Sequence, residues 1–268
     1  MKNFSLMPLL LCLVFTSCKY QSSKNLDKEM QSHENIDELT ADFQSWWNYH
    51  YRKISLSSDF IALDENAIEI SKKAFLKKLI SGDFICIEDK MKAKVDSVSY
   101  KLVKLPEGAD KTIAGTIKNS AELALGYYEM EGERFPEFDL TAIDGDHYNN
   151  ESLLGKVTVI KTWFIACKPC IAEMPELNEF VHHNRNKSEI QFLSLATDTQ
   201  ASLEDFLKKR RFNYKVFPEQ KELIQGQLNL SLYPTHLVVD KNGYIKKVFN
   251  KASELMAYIE GNKSLFSK

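Results

Sequence analysis

Apolar positions recur along this chain in two rhythms, one near the helical period and one in short runs rich in β-branched residues. From Ile36 to about Arg52, Leu39, Phe43, Trp46, Trp47 and Tyr51 stand close to helical spacing, with Asp37 or Thr40 available as caps. A strand around Phe60 to Leu63, a helix from about Asn66 to Leu79, strands near Phe84 to Ile87 and Val95 to Val103, and a helix from about Asp110 to Tyr128 follow. Glu and Gly are dense from Glu129 to Arg134, which marks a boundary. Beyond it the order reads strand (Phe135 to Leu140), turn (Asp144-Gly145-Asp146), strand (Lys156 to Phe164), helix (Lys168 to about His183) and strand (Ile190 to Ala196). It continues with a helix (Leu203 to Arg211), a short strand (Tyr214 to Phe217), a helix (Lys221 to Leu228), paired strands (Thr235 to Val239 and Tyr244 to Phe249) and a last helix (Ser253 to Ile259). Such alternation predicts an α/β fold with a central sheet and flanking helices over residues 130–268, preceded by a small mixed α+β domain over 35–129 whose sequence states no function.

The first residues follow neither rhythm. Lys2 is followed by an apolar stretch from Leu6 to Phe15, then Thr16, Ser17 and Cys18, the layout of a secretory signal over 1–17. The stretch is short for a spanning helix, which needs roughly 17 to 25 residues. A small residue before a cysteine at this place resembles the bacterial lipoprotein signal, which implies a lipid on Cys18. Phe15 departs from the aliphatic residue usual in that pattern, so secretion or an uncleaved anchor stays open. Residues 18–34 are polar and read as a flexible tether. With 35 basic and 37 acidic residues the chain presents no long-range field for nucleic acid or an anionic surface.

Of the five cysteines, Cys12 falls in the signal and Cys18 at its end, leaving Cys86, Cys167 and Cys170. That is too few for a disulfide scaffold, and a close pair in an exported chain suggests redox chemistry. Cys86 sits among Phe84, Ile85 and Ile87 and reads as a small buried hydrophobe.

The chemistry-bearing stretch is Val157 to Cys170. Val157-Thr-Val-Ile-Lys-Thr-Trp-Phe164 predicts a buried central strand, and Cys167 follows as the next helix begins. Unpaired amides and the macrodipole at a helix start favour a thiolate, Lys168 adds a cation, and Pro169 suits the first turn. Cys167 is therefore the expected exposed attacker. Cys170, almost a turn further along, is expected to resolve a mixed disulfide. Half a zinc site is the bland alternative, but the nearest further ligands, His182 and His183, lie about three turns away. No metal is expected there.

Taken together, Phe135-Pro-Glu-Phe-Asp-Leu140, the strand ending Trp163-Phe164, Cys167-Lys-Pro-Cys170, Pro175 and Tyr233-Pro234-Thr235 resemble the thioredoxin superfamily. Within it they resemble the TlpA/ResA-like membrane-anchored thiol-disulfide oxidoreductases. The resemblance implies a thioredoxin-like sheet, a cis bond at Pro234 facing the dithiol, and a client groove shaped by Trp163, Tyr233 and Pro234. It further implies that Glu173 moves protons for the cysteines, accepting one from Cys170, which requires a raised carboxylate pKa. Lys161 departs from the family, standing where a buried acid or a neutral polar residue is usual. It is read either as favouring thiolates or as running out to the sheet end.

These readings converge on exchange or reduction of disulfides in extracytoplasmic client proteins, with no metal or organic cofactor and with electrons expected from another thiol protein embedded in the membrane. The expected place is the bacterial cell envelope, facing the periplasm. A copper carrier, or a client-binding module with a redox-sensing dithiol, is the alternative of another class. A peroxiredoxin-like peroxidase would need a proline and threonine upstream of its cysteine and a pocket arginine; Thr162 stands here without the proline. Client identity, direction of electron flow and the work of residues 35–129 are not written in the sequence.

Overall fold

A computed structural model describes residues 35–90, 98–184 and 188–266. The expected signal, the lipidated Cys18 and the tether lie outside the described residues, as do Val95 to Ser97 of the expected fourth strand. Two short helices open it, α1 (Ile36–Thr40) and α2 (Phe43–Lys53). One helix was expected here. Asp42 interrupts it by leaving the helical region and accepting a hydrogen bond from the Ser45 amide at 3.0 Å, so it starts a new helix instead of continuing the old one.

Strands β1 (Ile61–Leu63) and β2 (Glu69–Ile70) precede α3 (Lys72–Ile80), and β3 (Phe84–Glu88) and β4 (Ser99–Lys104) precede the long α4 (Lys111–Met130). The helix expected from Asn66 begins only at Lys72. The Asp64 carboxylate accepts from the Asn66 and Ile68 amides, which turns the chain so that β2 pairs back on β1, and Ser71 then caps α3. The four strands form a mixed sheet in the order β2-β1-β4-β3. Its core gathers Trp46, Phe75, Leu76, Leu102 and the first turns of α4 at Ile113 and Ile117.

A hairpin, β5 (Asp139–Thr141) with β6 (His147–Asn149), leads into β7 (Val157–Trp163), then α5 (Lys168–Ala172) and α6 (Met174–Asn184). β8 (Ile190–Ala196), α7 (Gln200–Leu207), β9 (Lys215–Phe217), a π-helical turn (Glu222–Gln227), β10 (Thr235–Val239), β11 (Ile245–Phe249) and α8 (Ala252–Gly261) complete it. The five-stranded sheet runs β11-β10-β7-β8-β9, with β7, β8 and β9 parallel and β10 antiparallel to both of its neighbours. All seven residues of β7 are buried, as a central strand covered on both faces requires. Alternation along β7 divides its side chains. Ile160 joins one core together with Leu193, Leu237 and Val248, while Val157 and Val159 join the opposite one with Leu177 and Leu255.

The helix α4 serves both sheets. Its early turns belong to the first core, and Tyr127 near its end belongs to the second. At this junction Lys247 of β11 is buried and bonds Asp59 at 2.5 Å and Glu131 at 2.9 Å. Among the described residues no helix is long and apolar enough to cross a membrane.

Candidate functional site

Strand β7 ends at Trp163, and the chain turns so that the Cys167 amide donates to the Phe164 carbonyl at 3.1 Å. The Asp198 carboxylate fixes this turn by accepting from the Ile165 amide at 2.8 Å. Cys167 then occupies the N-cap of α5, with Pro169 in the first turn, and its sulfur accepts from the Cys170 amide at 3.3 Å. Cys167 and Cys170 are joined in a disulfide, their Cα atoms 5.3 Å apart. Cys170 is fully buried and Cys167 is 5% exposed. The expectation of an exposed attacker is corrected to this extent: in the oxidised pair only a sliver of Cys167 faces solvent, because Phe164, Ile165, Ile171 and Tyr233 pack around the cysteine cluster.

The Tyr233-Pro234 bond is cis, and Tyr233 packs against the cluster that holds both cysteines. The segment is pinned to β7 by the Thr235 amide donating to Thr162 Oγ1 at 3.2 Å and by Thr162 Oγ1 donating to the Thr235 carbonyl at 3.3 Å. Behind it, Asn250 Nδ2 donates to the Pro234 carbonyl at 3.0 Å, to Thr235 Oγ1 at 3.1 Å and to Tyr127 Oη at 2.8 Å. Tyr233 is half-buried, and its ring meets Phe164 edge-on with centroids 5.3 Å apart, joining the loop before the cysteines to the loop before the proline. An open cavity of about 330 Å³ borders Pro169, Glu173, Glu176 and Pro234 and is also lined by Tyr51 and Lys251. Trp163 does not line a surface groove. The alternation of β7 turns its ring beneath the cysteines, where it is wholly buried against Phe206 and Phe212, so its expected contact with a client is withdrawn.

Glu173 ends α5 as its C-cap, so the single helix expected from Lys168 to His183 is broken there into α5 and α6. Its carboxylate points under the helix, where Lys161 of β7 donates to Oε1. His236 of β10 stands directly across from Lys161 in the antiparallel register, and its Nε2 lies 3.0 Å from the same oxygen, within ion-pair reach though off the line of a good hydrogen bond. Lys161 and His236 are both fully buried, and the Glu173 side chain is 11% exposed. Burial alone would raise the Glu173 carboxyl, but the neighbouring His236 imidazole and the Lys161 ammonium outweigh it and hold it below the usual carboxylate range. The expected raised pKa of Glu173 is thus reversed. Lys161 does not reach the sheet end either. Burial lowers its pKa, opposed by Glu173, and burial likewise lowers that of His236.

His236, Asn250 and Tyr127 were missed in the sequence. A lone histidine inside the apolar run Thr235 to Val239 was the available signal for the first. His182 and His183 stand at the far end of α6, with His183 Nδ1 2.8 Å from the Glu179 carbonyl. Among the described residues no group of three or more His, Cys, Asp or Glu is placed to hold a metal ion. Cys86 is buried and free, and burial pushes its thiol up to about 12.

Residues 132–248 match the model of the AhpC/TSA family. This segment is similar to that family. The match takes in the hairpin β5-β6, the cysteine pair and the cis proline and ends within β11. Among curated proteins, the thiol-disulfide oxidoreductase ResA of Bacillus cereus is 26% identical over 133 residues, spanning 48% of this chain and 76% of the relative. The ResA protein of Geobacillus kaustophilus is 26% identical over 118 residues, spanning 44% and 67%. Among solved structures, the thioredoxin domain of a thiol-disulfide oxidoreductase from Bacteroides vulgatus superposes with a TM-score of 0.45 at 16% identity, over 49% of this chain and 96% of that one. The AhpC/TSA segment leaves the four-stranded sheet outside it.

Proposed function

We propose that this thiol-disulfide oxidoreductase exchanges or reduces disulfides of extracytoplasmic client proteins through the Cys167-Cys170 couple. The observation that carries the reading is the pair's position, bonded together at the first turn of the helix that follows a buried central strand. In the reduced protein the Cys167 thiolate attacks a client disulfide and releases one client thiolate, which takes a proton. The Cys170 thiolate then attacks the Cys167 sulfur, re-forming the 167–170 disulfide and releasing the second client sulfur, so that two electrons pass to the client. The Cys170 amide, which already faces the Cys167 sulfur, is a ready donor to the thiolate.

Tyr233 and Pro234 form the side of the groove where the client backbone lies. Glu173, held as an anion by Lys161 and His236 instead of being raised by burial, is the carboxylate open to the Cys170 proton. The electrons are renewed by another thiol protein, proposed to be membrane-embedded, and the chain is held at the periplasm-facing membrane surface by a lipid on Cys18. Residues 35–129, whose last helix packs into both cores, form a domain beside the exchange site.

Reduction of insulin disulfides by the full chain tests the reading. Wild-type protein should turn over with a small-molecule thiol as electron source, and Cys167→Ser should not. Activity that survives in Cys167→Ser would sink it, and rapid peroxide turnover by wild type would move the assignment to a peroxidase.

A further inference from the structure

Beneath the cysteine helix lies a cluster that simple thiol exchange does not require: one carboxylate held between two buried basic side chains from adjacent strands. Lys161 and His236 face each other across the β7-β10 ladder, on the sheet face that carries α5, and both reach Glu173 Oε1. A lysine without any exposure is costly unless paired, and removing one member of a buried pair costs more than the pair itself contributes. A cluster placed three residues from Cys170 on the helix that carries both sulfurs is more economically read as part of the exchange than as a fold device.

We propose that Lys161 and His236 are positioning residues for the second step of exchange, clamping the Glu173 carboxylate as an anion beneath the dithiol helix so that it takes the Cys170 proton. This rests on the reading of Cys170 as the resolving cysteine. In a protein whose Cys167 is bonded to a client sulfur, the Cys170 thiol gives its proton to Glu173 and the resulting thiolate attacks the Cys167 sulfur. The Cys167-client bond breaks and the client thiolate leaves. Once Glu173 is neutral, the Lys161 ammonium has lost the anion it bonds and can answer the new thiolate on the same helix as Glu173 instead. His236, whose pKa burial lowers against the pull of Glu173, sits 3.0 Å from the same carboxyl oxygen. The other titratable groups that face Glu173 are Glu176 of α6, Tyr214 ahead of β9, and Lys251, which lines the same cavity. Burial raises the pKa of Tyr214, which keeps its proton, and of Glu176, which lies on α6 beyond the break in the helix, and Lys251 is engaged with the Tyr51 carbonyl at 2.9 Å.

The test loads the full chain with thionitrobenzoate on Cys167 and follows its release by Cys170 across the pH range in which a thiol titrates. Lys161→Met should slow release roughly tenfold or more near neutral pH and move the pH profile upward, and His236→Asn should move it the same way by less. Val159→Ala, a cavity on the same face of β7, should leave the profile in place whatever it does to stability. Since Lys161→Met strands a buried carboxylate and can unfold the chain, the pair is also tested with both charges removed: Lys161→Met added to Glu173→Gln should change the rate less than about twofold. Equal slowing by Lys161→Met in both backgrounds, or an unshifted profile in Lys161→Met and His236→Asn, would overturn the proposal while leaving exchange by the dithiol intact. No release at all from wild-type protein would instead count against Cys170 as the resolving cysteine.

Discussion

Cys86 and Cys167 each belong to an apolar run, yet one lies in the middle of β3 and the other stands just past the end of β7. In the four-stranded sheet the sulfur faces the core, has lost contact with water, and holds its proton to about 12. In the five-stranded sheet the strand stops, the chain makes one turn, and the sulfur meets the open amides of a starting helix. The same element is inert in one place and bonded to a partner three residues away in the other. Where a side chain falls relative to the end of its strand thus matters more here than the composition around it. Buried charge divides similarly. Lys247 ties the two halves together through Glu131 and Asp59, whereas Lys161 is turned inward under the cysteines.

The largest break in this comparison should come from the cysteines. Cys167→Ser is expected to drop insulin reduction by at least about 10³-fold, to the background of the reducing thiol. Cys86→Ala should keep activity within about twofold and lose only about 1 to 2 kcal/mol in urea unfolding. In reduced wild type at neutral pH, mass spectrometry after iodoacetamide should find Cys167 alkylated and Cys86 not.

Next in size are the charges. Lys247→Met should cost about 3 kcal/mol or more by urea unfolding, because it takes from the sheltered Glu131 the ammonium bonded to it. Lys215→Met, at a surface cluster with Asp144 and Asp146, should stay within about 1 kcal/mol. A comparable difference would show that the junction lysine is no more sheltered than the surface one.

His50 gives a sensitivity to acid that starts in the first half. Buried against Trp46, it titrates at about 4, lowered first by burial and then by Lys251, whereas in the unfolded chain it titrates near 6.5. Between those values the unfolded chain binds the extra proton, so stability is whole above about pH 6.5 and falls by about 3 kcal/mol as the pH drops to about 4. Urea midpoints at about pH 7 and about pH 5 should therefore diverge in wild type and converge in His50→Leu. The smallest effect belongs to Tyr127→Phe, which removes one acceptor of Asn250 and should cost about 1 kcal/mol with a modest loss of insulin reduction.

The strand from Val157, the start of the cysteine helix and the Tyr233-Pro234 segment were legible because each is a local signal: an unbroken β-branched run, a proline in a first turn, a proline before a strand. Glu173 was legible as a candidate but not in its charge state. Its partners come from β7 and from β10, and only the antiparallel register brings Lys161 and His236 together. The same limit explains β2, where a run with helical content was drawn into a strand by the turn at Asp64 and by an edge of β1 waiting to be paired. Trp163 was assigned to a surface because the motif names the residue but not the side of the strand on which it falls.

The segment shared with the AhpC/TSA family runs from 132 to 248, and the Pro234 carbonyl is held by Asn250, which is itself held by Tyr127. Both residues lie just outside that segment, one on each side. Transplanting residues 132–248 into another protein would carry the two cysteines and the proline but none of this bracing. Beyond the Thr162-Thr235 bonds inside the segment, what makes the loop firm in this molecule is inherited from the neighbouring helix and from the far end of the chain, so the portable part of the sequence and the working part of the structure are different pieces.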